Sequence, residues 1–252
     1  MAICEMHLGS GTALQKMTAF TVLVPENIPG PWATLYLLHG LSDDHTAWTR
    51  RTSLERYADG LPLVVVMPNG ERGWYTDSAG QATQAFETYL TRDLVGFVDS
   101  TFHTRAVRPA RMTAGLSMGG YGAVKLALKY PELFCAGVSH SGALEIAARS
   151  WTEDDAGQAD LRAIFGTHPQ GGGNDTYALA ERADPAARPA LRIDCGVDDF
   201  LIDDNRRFQA HLERIGYPHE YAEHAGRHDW AYWDAHIQDT LAFAARTMNL
   251  TR

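Results

Sequence analysis

Cysteine is scarce in this chain. Three occur in 252 residues, Cys4, Cys135 and Cys195. An odd, scattered set is no disulfide framework, and without a Cys-x-x-Cys pair there is no zinc or redox motif. Cys135 and Cys195 lie in apolar, strand-like runs and read as buried bystanders. A reducing cytoplasm suits such a chain. Basic runs are lacking too. Lys and Arg number 22 against 31 Asp and Glu, a net charge of −9, which argues against a surface that tracks nucleic-acid phosphates. Long hydrophobic runs are also missing. The longest uncharged stretch, Asn27 to Ser42, is interrupted by Pro29, Gly30, Pro31 and Gly40, and is too short and broken to span a membrane. The N-terminal MAICEMHLGSGTALQK has Glu5 early, no Lys or Arg before Lys16 and no apolar core, so no secretory signal is expected. No internal repeat is visible.

What is present suits a soluble globular protein: 45% hydrophobic and 21% charged residues. One α/β domain spanning 1–252 is expected, large enough to bury roughly 70–75% of its unfolded surface without a disulfide or metal. FTVLVP (20–25), TLYLLHG (34–40), LVVVMPNG (63–70), RMTAG (111–115), FCAGVSHSG (134–142) and LRIDCG (191–196) read as strands. Several are apolar on both faces, the mark of a parallel sheet covered by helices. Leu90, Leu94, Phe97 and Val98 form one helical stripe. Phe208, Leu212 and Ile215 form another, stopped by Gly216, and Ile237, Leu241, Ala244 and Met248 a third. The alternation predicts a mostly parallel, doubly wound α/β sheet flanked by helices. Residues 143–189 break the rhythm and read as a cap-like insertion before the strand LRIDCG.

The sharpest motif is Gly115-Leu116-Ser117-Met118-Gly119. A strand runs into it and a helix, YGAVKLALKY, runs out, the setting of a nucleophile elbow. Gly115 and Gly119 fit because a β-carbon at either would collide with the neighbouring strand or helix. The plain alternative is a Gly-rich turn in which Ser117 caps a helix. A serine hydroxyl needs a base, and the base needs an orienting acid. In this chain order the acid comes before the histidine. Asp198 and Asp199 follow LRIDCG, and His228 follows the strand-like HEYAEH, so both loops are expected beside the elbow. Spacing leaves the two aspartates unresolved. His224 and His228, four apart, flank Gly226 in a loop with no third ligand pattern, so no metal site is expected. His39-Gly40-Leu41 ends a strand, where the Leu41 amide would join that of Met118 as donors to a developing oxyanion.

Five blocks carry a family resemblance: YLLHGLSDDHTAW, VVMPNGERGWYTD, AGLSMGGYGAVKLAL, CGVDDFL and GRHDWAYW. Together they resemble the tributyrin-esterase branch of the esterase D family of α/β-hydrolases, whose relatives include S-formylglutathione hydrolases and feruloyl or acetylxylan esterases. The resemblance runs from about residue 2 to 248 and is weakest across 143–189. It implies the α/β-hydrolase fold, a Ser–His–Asp triad, an oxyanion hole at Leu41 and Met118, no metal or other cofactor, and short-chain acyl esters as substrates. It favours Asp199 as the acid, because relatives read CGxxDFL there. Trp48, Trp74, Tyr75, Trp151 and Trp230 are candidate walls of the substrate pocket; each has the plainer reading of a packed ring. Asn69, Asp77 and the Tyr75 hydroxyl either hold polar substrate groups or tie down their loop. The expected partner is a small ester, with no nucleic acid and no membrane; a homo-oligomer is compatible. An S-formylglutathione hydrolase-type thioesterase, a feruloyl or acetylxylan-type esterase, an acyltransferase and a non-catalytic binding module are the alternatives.

Overall fold

The strand-like runs assemble into one sheet in the computed structural model, which describes residues 1–9, 11–151 and 158–250. Among these residues the sheet has eight strands: β1 (Ala2–Leu8), β2 (Thr18–Val24), β3 (Ala33–Leu38), β4 (Leu63–Pro68), β5 (Arg111–Leu116), β6 (Ala136–His140), β7 (Ala190–Gly196) and β8 (His219–His224). Their order is β1-β2-β4-β3-β5-β6-β7-β8. Strands β3 to β8 run parallel, while β1 and β2 join antiparallel at one edge. The mostly parallel expectation is met. β1 was not anticipated: its alternating half-buried and exposed residues mark an edge strand rather than a buried run.

The central strands are buried on both faces, and successive side chains go to opposite layers. Tyr36 and Leu38 of β3 and Val64 and Val66 of β4 enter one core cluster; Leu35, Leu37, Val65 and Met67 enter the other. The first cluster packs against α3 (Phe86–Thr88), a π-helical stretch at Tyr89–Leu94, α4 (Val95–Thr101) and α5 (Met118–Lys129). The second takes residues of α1 (Ala47–Arg51), α2 (Leu54–Ala58) and α9 (Trp230–Thr247). Two further helices, α7 (Thr176–Arg182) and α8 (Ile202–Arg214), cover β7. After α8 the chain reaches Gly216 at φ 63°, the left-handed turn that its glycine permits.

Order reverses around β3, since the chain goes from β3 outward to β4 and returns to β5 on the other side. The carboxyl ends of β3 and β5 therefore border a topological switch point, where α/β sheets form their clefts. Segment 143–189 contributes turns, α6 (Ala159–Phe165) and α7; residues 152–157 of it lie outside the described part. It docks on the loop before α3: Ala79 N–H donates to Ile164 O at 3.0 Å, and Gly80 N–H to Ala163 O at 2.8 Å. No helix among the described residues is long and apolar enough to cross a membrane.

Candidate active site

Ser117 stands between β5 and α5 with φ 54° and ψ −117°. Non-glycine residues adopt such a backbone at a cost of about 1–3 kcal/mol, which the surroundings must over-determine. They do so by close approach. A Cβ on Gly115 would lie 2.5 Å from the Gly119 backbone, and one on Gly119 would lie 2.4 Å from Leu38 O. The Ser117 N–H donates to His140 O at 2.9 Å, locking the elbow to β6. Ser117 makes no side-chain cap to α5. Its Oγ instead lies 3.0 Å from His228 Nε2. The capping alternative is set aside by that geometry.

His228 comes from the loop after β8, and Asp199 from the loop after β7. The two loops are joined by backbone bonds: Val197 N–H to His224 O at 2.9 Å and Asp198 N–H to Gly226 O at 3.0 Å. Glycine permits the contact, since a Cβ on Gly196 would lie 2.4 Å from Gly226 O. His228 Nδ1 lies 3.0 Å and 2.8 Å from the two Asp199 oxygens. Asp199 is buried, while Asp198 is exposed. Burial pulls the Asp199 pKa up, but bonds from His228, the Leu201 amide and the Ser141 hydroxyl outweigh it and hold the carboxyl below its ordinary range. An ionised Asp199 accepts only, so Nδ1 carries the proton and Nε2 turns its lone pair to Ser117. Directly after His228, the Asp229 side chain accepts from Tyr232 N–H at 3.0 Å and caps α9.

The His39–Gly40 turn lies beside the elbow: a Cβ on Gly40 would lie 3.6 Å from Ser117 Cβ. Buried His39 donates from Nδ1 to Gly40 O at 2.8 Å and accepts at Nε2 from Gly70 N–H at 2.8 Å. Burial lowers its pKa, which suits this neutral form. Among the described residues, neither the Leu41 nor the Met118 amide donates to another backbone carbonyl. Met118 opens α5, where first-turn amides have no intrahelical acceptor.

The expected pocket walls are redistributed. Trp48 is 1% exposed and donates from its indole to Leu38 O at 3.1 Å, so it is a core residue and not a pocket wall. Tyr75 is also buried, its hydroxyl donating to His39 O at 3.0 Å; it ties down its loop rather than facing substrate. Asn69 and Asp77 likewise accept from the amides of Glu71 and Thr88. Trp74 packs edge-on against Tyr121 and Phe165, and Trp151 is buried in the same cluster. Trp230 is half-buried against Trp48 and Trp233. The rings that touch His228 are Trp233, at 5.0 Å, and Phe200, at 4.4 Å between centroids. Phe200 had drawn no attention in the sequence, although it directly follows Asp199.

Two buried polar pairs also escaped sequence reasoning. His140 Nδ1 lies 2.8 Å from Asp194 Oδ1, and its Nε2 lies 2.7 Å from Thr240 Oγ1. Tyr232 O–H also donates to Asp194, at 3.0 Å, so the pair ties α9 to the strands beneath Ser117. On α5, Lys125 donates to Glu87 at 2.6 Å, to Thr76 at 3.1 Å and to the Tyr75 carbonyl. Trp74 and Tyr75 both have positive φ, so this lysine pins the strained turn whose hydroxyl holds His39. Cys195 is buried, and burial together with the charge of Asp199 pushes its thiol up to about 12, so it is no nucleophile. His224 stacks on His236 beside Asp239, the one group of metal-ligand types brought together among the described residues. Arg192 lies 3.5 Å from the Asp239 carboxylate and opposes a cation there. Cavities of about 410 and 310 Å³ lie away from Ser117; the smaller is lined by Arg72, Gln84 and Asp160 among others.

Comparisons with known proteins give the family and the fold. The sequence model of the family named Esterase matches residues 11–244. An acetyl esterase of Caldicellulosiruptor saccharolyticus is 28% identical over 98% of this chain and 99% of its own. Among solved structures, the fluorophosphonate-binding serine hydrolase FphF of Staphylococcus aureus superposes with a TM-score of 0.85 at 32% identity, over 96% of this chain and 98% of its own. The S-formylglutathione hydrolase FrmB of the same organism gives 0.82 at 31%, with the same coverage. With a serine at an elbow, a histidine and a buried carboxylate in one hydrogen-bonded line, the chain belongs to the esterase family and is a carboxylic ester hydrolase of the α/β-hydrolase fold.

Proposed function

We propose that the protein is a serine carboxylesterase that hydrolyses short-chain acyl esters through an acyl-enzyme. The observation that carries the reading is the unbroken line Ser117 Oγ, His228, Asp199, at 3.0 Å and 2.8 Å. Ser117 Oγ attacks the ester carbonyl while His228 Nε2 takes its proton. The carbonyl oxygen becomes an anion met by the amides of Leu41 and Met118. As the C–O bond breaks, His228 returns the proton to the leaving alcohol. Water then attacks the acyl-enzyme, giving its proton to His228, which passes it back to Ser117. Asp199 stays ionised and holds the imidazole tautomer. No cofactor enters these steps. The three cysteines are unpaired, which supports a cytoplasmic setting.

A short acyl group is favoured by the acetyl esterase relative. A thioester substrate is the second reading, favoured by the 31% identical S-formylglutathione hydrolase. Purified protein assayed on p-nitrophenyl esters from acetyl to lauroyl, together with S-formylglutathione, separates them. The expected kcat/KM rises from acetyl to about butyryl and falls steeply before lauroyl. Each added methylene gains about 0.8 kcal/mol in a dry pocket that admits it and loses about 1–3 kcal/mol where it overpacks. A profile still climbing at lauroyl, or S-formylglutathione far ahead of every ester, contradicts the reading.

A further inference from the structure

Phe200 is the most exposed large hydrophobic among the described residues, with 76% of its surface open. It stands on the rim of the site, with its ring 4.4 Å from that of His228 and tilted by 48°. The other ring against His228, Trp233, is only 5% exposed. Phe200 is not what holds the acid in place. Asp199 is fixed by its own amide on Gly196 O at 3.1 Å and by the Leu201 amide on Oδ1 at 2.8 Å. Two more exposed aliphatic side chains, Val197 and Leu41, lie on the loops that carry Asp199 and the His39–Gly40 turn. Exposed apolar side chains on these loops offer surface that a bound ligand can cover.

The chemistry says which part of the ligand. When the ester bond breaks, the leaving oxygen must lie within hydrogen-bond reach of His228 Nε2, about 2.6–3.2 Å. The carbon group on that oxygen then extends alongside the imidazole. Of the two rings against that imidazole, Trp233 is buried and Phe200 is open. We infer that Phe200 is a specificity-determining residue for the alcohol portion of the ester, and that it favours flat apolar alcohols, aromatic ones above all, which stack on its ring. This rests on the reading of Ser117 and His228 as the acyl-transfer pair.

Benzyl acetate and methyl acetate test it, assayed with wild type and with the variants Phe200→Ala and Phe200→Leu. Both esters leave the same acetyl-enzyme, so deacylation cancels from the comparison. Each variant is compared with wild type on the same ester, so intrinsic reactivity cancels too. The ratio of kcat/KM for benzyl over methyl acetate should fall about tenfold in Phe200→Ala and recover in part in Phe200→Leu. Equal losses on both esters overturn the inference, because Phe200 then acts only by packing against His228. An unchanged ratio overturns it as well. Wild type that hydrolyses neither ester, indistinguishable from Ser117→Ala, overturns the underlying esterase reading along with it.

Discussion

Asp199 and Asp198 carry the same side chain one position apart, and their surroundings separate them. Asp199 is buried under His228, while Asp198 is exposed and contributes its amide to the joint between the two loops. Asp199→Asn should lower kcat by about 10⁴, because an amide no longer dictates which imidazole nitrogen is bare. Asp198→Asn should stay within about threefold of wild type. Steady-state kinetics of the two variants decide the matter, and the reverse order would place the acid one residue earlier. The meeting of Ser117 with His228 was legible in the sequence because a strained elbow demands glycines at fixed spacing and the histidine loop follows a strand. The aspartate needed family resemblance, since spacing alone treats both alike. Trp48 and Tyr75 show where reading by residue type fails: a ring near a motif says nothing about which side of the loop it packs on. Phe200 was missed for the converse reason, because nothing local in VDDFL tells that its ring points to solvent.

Helix α5 does more than follow the elbow serine. Its Lys125, fully buried, meets Glu87 of α3 and the Tyr75 carbonyl. Burial alone would raise the pKa of Glu87, but Lys125, Lys129 and Tyr130 bring it down to about 2 from an ordinary 4.5. A carboxylate depressed in the folded state contributes stability that is present above about pH 4.5 and lost as pH falls toward 2. The shift is worth on the order of 3 kcal/mol. Glu87→Gln should therefore lower unfolding free energy at pH 7 by at least about that amount, since Lys125 is left uncompensated, and should flatten the decline between pH 4.5 and 2. Urea denaturation of both proteins across that range is the check; parallel curves would refute the pair's role. None of this was legible, because Glu87 and Lys125 lie far apart in sequence within ordinary helical stripes. The same holds for His140 and Asp194, polar residues inside runs that otherwise read as buried strand. The stripes and runs themselves were legible, because burial on one or two faces imposes its period on the sequence.

At the scale of the whole molecule, the sheet order brings distant segments to one edge. Loops after β3, β5, β7 and β8 open at the carboxyl end of the parallel strands, and from them come Leu41, Ser117 with Met118, Asp199 and His228. The parallel sheet could be read from runs apolar on both faces, whereas the antiparallel β1 could not, since a half-exposed edge strand lacks that signature. The docking of α6 on the loop before α3 was not legible either, since it depends on backbone bonds between Ala79, Gly80 and the end of that helix. The whole arrangement makes one claim testable above the rest, that Ser117 alone among the serines is a nucleophile. Treatment with an organofluorophosphate, followed by intact-mass and peptide mass spectrometry, addresses it directly. The account predicts a single adduct, on Ser117, with loss of esterase activity in step with labelling and no labelling in Ser117→Ala. An adduct on another serine, or full activity after complete labelling, would contradict it.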